Sequence, residues 1–169
     1  MLNALRRSAA LRELSARLES RISARARAPV FYAEFGVPDT IDGRFDVLAL
    51  HAALVLERID GDIAQALVDA IFVSFDEGLR DLGAGDVGMS RRMKKMASAF
   101  FGRMQAYRDA RDNAALEAAI TRNIYRGMET GAASILADYA MSAREHLAKS
   151  DAAGGEPDFG PLPIPGEKT

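Results

Sequence analysis

The chain has 169 residues, a formal net charge of −2 and no cysteine. That length supports one well-buried core rather than two ordinary domains. The near-neutral charge argues against a general DNA or RNA coat, and the absent thiols exclude disulfides, thiolate nucleophiles and thiolate metal sites. The longest unbroken apolar run, Val47 to Leu56 counting His51, falls well short of the ~20 residues a spanning helix needs. Arginines throughout the N-terminus argue against a secretory signal. A soluble cytoplasmic protein is expected, able to sit peripherally on the inner face of the membrane.

Alanine and leucine dominate, β-branched residues are sparse, and no short stretch alternates as a strand would. The pattern predicts an all-α, single-domain bundle of about six helices, over 2–27, 43–59, 62–82, 90–111, 113–126 and 130–148. Three segments follow: a basic amphipathic helix over 1–28, a helical domain over 29–148, and a tail over 149–169. Residues 151–169 hold four glycines and four prolines with little apolar mass, so the tail is expected to be disordered.

The first helix carries seven arginines and two glutamates within residues 1–28. Arg6, Arg7, Arg17, Arg21 and Arg25 share one arc beside a stripe of Leu11, Leu14, Leu18 and Ile22. Such arginines can snorkel at a lipid surface; equally, the leucines can face a bundle core. Between Pro29 and Pro38 lie Phe31, Tyr32 and Phe35, either core plugs or an aromatic anchor for a partner. Asp39 and Asp42 are placed to fix the following turn through backbone amides, with Arg44 able to pair with one of them.

Helix 43–59 is apolar around most of its circumference and should lie at the centre. Asp62 is the expected cap of the next helix, whose Ile63, Leu67, Ile71, Phe75, Leu79 and Leu82 form its core side. After the break at residues 83–88, Ser90 is the expected cap of a helix with Met89, Met93, Met96, Phe100, Met104 and Tyr107 on one stripe. The stripe reads as core first, although methionine also suits irregular partners. Arg91, Arg92, Lys94 and Lys95 crowd the start of that helix, where cations oppose the macrodipole. They form either a solvated face or a docking patch for an acidic or phosphorylated surface.

Chemistry is thinly represented. His51 lies on a core stripe and reads as a satisfied structural histidine; His146 is its only fellow. Asp76 and Glu77 are neighbours without the further ligands a metal needs, and no serine sits in a nucleophile frame. Gly83, Gly85 and Gly88 lack the preceding strand that would make them a phosphate cradle. No catalytic, cofactor-binding or metal residue is assigned.

The strings FYAEFGVPDTIDGRFD with a following Leu-His, LVDAIFVSFDEGLRDLG, GDVGMSRRMKKM and AFFGRMQAY stand in order between Arg27 and Met141. Together they resemble the ubiquinol–cytochrome c chaperone family. The resemblance implies an all-helical, non-catalytic assembly factor that binds newly made cytochrome b and promotes assembly of the ubiquinol–cytochrome c reductase complex. Mitochondrial members work with a small partner protein, which is a further expected contact; the basic segments bring in a ribosome, and no cofactor is expected. Asp86, Gly88, Met89 and Lys95 fall on its recurring signature. The resulting client-binding candidates are Phe31, Tyr32, Phe35, Asp86, Gly88, Met89, Arg91, Arg92, Lys94 and Lys95. Two other readings stay open: a helical adaptor that meets RNA or a ribosome through its basic segments, and a small enzyme with His51 as base.

Overall fold

The computed structural model describes residues 2–81 and 88–165. Its elements are α1 (Leu2–Ala26), the single turn α2 (Val30–Ala33), α3 (Ile41–Leu56), α4 (Gly61–Asp81), α5 (Met89–Asp109), α6 (Asn113–Asn123) and α7 (Gly131–Lys149). The six long helices match the six expected from the sequence, and the one-turn α2 carries Phe31. The described residues form a single all-α domain.

The apolar α3 is the hub. It packs against α1, α5 and α7, while α1 also lies on α4 and α6 on α7. From Ala49 to Leu56 every residue is buried, so the second half of α3 has no solvent face, while Asp42 and Arg44 at its start are exposed. Each large apolar side chain so enclosed contributes about 1.5–3 kcal/mol.

The entry to α3 is set by two residues. Thr40 caps the helix, its hydroxyl accepting from the Gly43 amide at 3.1 Å. A Cβ at Gly43 would stand 1.9 Å from the Pro38 carbonyl oxygen, so only glycine fits. Arg44 pairs with one of the two aspartates as expected, Asp39 at 2.6 Å, but the capping of the backbone amide falls to Thr40.

Two further caps differ from expectation. α4 begins at Gly61 (φ 58°), which puts Asp62 inside the first turn, where it pairs with Arg7 at 3.0 Å. α5 begins at Met89 behind Gly88 (φ 94°), a left-handed residue with no capping side chain, so Ser90 is already helical. In both cases a glycine at positive φ turns the chain before the polar side chain, Gly61 by one residue and Gly88 by two. Leu82 and the 83–87 break lie outside the described residues.

The tail departs most from expectation. Residues 151–165 run along the bundle: Asp151 and Glu156 form an antiparallel bridge, and Ala152 and Phe159 are buried. Arg21 pairs with Glu156 at 2.7 Å, and Arg25 donates to the Pro161 carbonyl at 2.6 Å. Composition registers a lack of local structure but not that one aromatic finds a cavity. Prolines also limit what the free chain loses on docking.

Candidate functional site

His51 is fully buried, and both ring nitrogens are engaged. Nδ1 stands 2.8 Å from the Val47 carbonyl and therefore carries the proton. Nε2 then accepts from the Tyr139 hydroxyl at 2.7 Å, and that hydroxyl accepts from Arg25 Nε at 2.9 Å. Phe31 and Phe159 meet the imidazole edge-on, each with centroids 5.3 Å away. Burial drives the His51 pKa down to about 4, so the ring is neutral. The node joins α1, α3, α7 and the tail, and it leaves no nitrogen for a substrate.

The N-terminal arginines are similarly engaged. Leu18 and Ile22 are wholly buried against the bundle. Arg7, Arg21 and Arg25 bond to Asp62, Glu156 and Pro161 respectively, while Arg17 pairs with Glu13 at 3.6 Å. Arg6 is exposed. Much of the leucine stripe that would enter lipid thus faces the protein's own core. No described helix is long and apolar enough to cross a membrane.

Of the aromatic trio, Phe31 and Phe35 are core residues. Tyr32 is half-buried, donates to the Ala26 carbonyl at 2.8 Å and carries the Arg44 guanidinium over its ring. It lines a small apolar pocket of about 200 Å³ with Leu48, Ile71, Phe75 and Leu79. Met89 is buried and Gly88 forms the turn, so these two signature positions shape the start of α5. Asp86 lies outside the described residues.

The basic run at the start of α5 divides between two faces. Arg91 and Lys94 line a shallow surface with Gly88 and Ser90. Arg92 and Lys95 turn instead into a separate pocket with Arg103, Arg122 and Arg126. This division follows from the helical repeat, since residues three apart share a face. By the same repeat Arg91 and Lys94 lie on the side of α5 that carries Phe101 two turns later.

Phe101 went unnoticed in the sequence because it falls off the Met89–Tyr107 stripe. It is 55% exposed, and it ends an aromatic column that begins inside the protein. Phe45 touches Phe75 (5.3 Å) and Phe100 (6.4 Å); Phe100 touches Phe72 (5.4 Å) and Phe101 (5.7 Å). Beside Phe101 a groove of about 470 Å³ runs between the end of α3, α4 and α5, with Val68, Phe100 and Met104 in its walls. An aromatic held by buried rings loses little freedom when a partner covers it, which suits a binding anchor.

Sequence reasoning also missed two ion-pair clusters, one around the buried Asp46 and one around the partly buried Glu57. Asp46 has no solvent exposure and is gripped by Arg103 at 2.6 Å and Arg126 at 2.7 Å. Burial raises its pKa, against the opposing pull of both guanidiniums. Arg144 forks onto Glu57 at 2.8 and 3.0 Å and donates to the Tyr107 and Ala110 carbonyls, tying α7 to the ends of α3 and α5. A charged residue inside an apolar helix was the available signal for Asp46. Asp76, once weighed as half of a metal pair, bonds to Arg80 at 2.9 Å. Among the described residues no three His, Cys, Asp or Glu side chains are grouped to hold a metal ion.

Comparison with known proteins agrees with this architecture. The family model described as ubiquinol-cytochrome C chaperone matches residues 33–154, which include α3 to α7 and the start of the tail. The crystal structure of the Cbp3 homolog from Brucella abortus is similar at 41% identity with a TM-score of 0.76, covering 92% of this chain and 93% of that one. No curated protein matches. Sharing both the motif order and the helical architecture, the chain belongs to the ubiquinol–cytochrome c chaperone family.

Proposed function

We propose that this protein binds newly made cytochrome b and holds it for assembly into ubiquinol–cytochrome c reductase, without making or breaking bonds. Family membership supports a chaperone role in that assembly. The reading of a holder rests on one observation above the rest: Phe101, more than half exposed at the end of a buried aromatic column, beside an apolar-walled groove. An immature membrane protein offers apolar segments that such a groove can shelter. Arg91 and Lys94 on the same side of α5 add charge that steers an acidic loop and fixes orientation. The encounter takes place at the inner membrane surface because the client is there, not because α1 inserts.

Cytochrome b recovery on the tagged protein from detergent-solubilised membranes tests this. Phe101→Glu is expected to lower recovery by about tenfold or more, as loss of a binding anchor does, and Arg91→Glu/Lys94→Glu to lower it less. Undiminished recovery with both variants would reject this face; no recovery with the wild type would reject the client. The RNA-adaptor reading predicts instead that ribosomal RNA co-purifies and is lost steeply with salt.

A further inference from the structure

The pocket into which Arg92 and Lys95 turn has no role in the client face. It lies between the start of α3, the first half of α5 and the end of α6, and holds about 410 Å³. Five cations line it, Arg92, Lys95, Arg103, Arg122 and Arg126, with Asp42 the only carboxylate of the lining. Arg103 and Arg126 reach behind the wall to Asp46. Arg92, Lys95 and Arg122 have no ion-pair partner among the described residues. Like charges gathered in one concavity repel one another and destabilise the fold unless something offsets them.

Two further features mark the pocket. Asn123 lines the same pocket, and its side chain reaches the buried Tyr107 hydroxyl. Arg126 also holds a left-handed backbone (φ 57°), unusual for a non-glycine, at the turn where its guanidinium meets both the Asn123 carbonyl and Asp46. Backbone in such sparsely populated conformations gathers at binding sites.

We propose that this pocket binds a phosphate monoester group. Guanidinium forks match phosphate oxygens in pairs. A doubly charged phosphate offsets three unpaired cations better than a single carboxylate does. Phe45, Met96 and Ala99 line the same space and supply apolar contact for whatever carries the phosphate. A soluble ester and a lipid headgroup share this chemistry. The inference does not depend on the client reading, because the client face uses Arg91, Lys94 and Phe101.

The test is thermal unfolding of the full chain with inorganic phosphate or glycerol 3-phosphate, against sodium chloride of equal ionic strength. A parallel flotation uses vesicles containing phosphatidic acid. Phosphate or its ester is expected to raise the Tm where chloride does not. Lys95→Gln/Arg122→Gln, two exposed positions, should weaken binding by about tenfold or more with the unliganded Tm no lower than that of the wild type, since two repelling charges are gone. Arg91→Gln/Lys94→Gln should bind as the wild type does. Vesicle binding that needs Lys95 and Arg122, without a response to the soluble ester, would assign the source to a headgroup. A response equal to that of chloride, or equal in wild type and Lys95→Gln/Arg122→Gln, would overturn the proposal, as would no response to phosphate, ester or vesicles.

Discussion

His51 gives the most quantitative prediction. In the unfolded chain its imidazole titrates near the ordinary 6.5; in the native bundle burial holds it at about 4. Between those values the unfolded state binds more protons, so stability falls as pH falls through that window and is complete above 6.5. The linkage amounts to about 2 kcal/mol lost at pH 5 and about 3 kcal/mol at pH 4, relative to pH 7.5. Asp46 works in the opposite sense over the acidic range, because burial raises its carboxyl. Comparison with His51→Gln, which keeps Asp46 and cannot titrate at residue 51, isolates the histidine. Urea unfolding of both proteins at pH 7.5, 6 and 5 should show the wild type losing about 2 kcal/mol more than the variant by pH 5. Parallel stability curves would mean that the ring is not held neutral inside the core, and the structural reading of His51 would fail.

Gly43→Ala should lower stability by about 1–3 kcal/mol, read from urea unfolding, because the new methyl meets the Pro38 carbonyl and the turn must shift. Phe159→Ala should cost about 3 kcal/mol and speed amide exchange over residues 151–160, because the ring anchoring the tail on His51 is gone. Exchange already fast in the wild type would show the tail undocked.

The helices were legible because their signals are local and repeated. The stripe of Leu67, Ile71 and Leu79 in α4, and that of Phe100, Met104 and Tyr107 in α5, reach the core as the periodicity predicted. His51 was legible for the same reason: its register with Leu48 and Val55 placed it inside. Caps were less legible. Ser90 and Asp62 are good capping residues, but Gly88 and Gly61 turned the chain first, and nothing local ranks those two devices. The tail, Phe101 and the arginine pocket were hidden for a different reason. Each depends on side chains far apart in sequence: Phe159 with His51, Phe101 with Phe72, Arg92 with Arg122. Arg91, Arg92, Lys94 and Lys95 looked like one patch, and only the bundle around α5 divides them between two concavities.

Whether the protein holds cytochrome b, as proposed, or converts it is decided most directly by stoichiometry. Cytochrome b synthesised in a cell-free system with nanodiscs would be scored for soluble, protease-resistant product against increasing amounts of the purified protein. A holder predicts a yield that rises in proportion to added protein and levels off near equimolar, with Phe101→Glu needing about tenfold more. Full yield from a small fraction of an equivalent, with Phe101→Glu as effective as the wild type, would contradict the account.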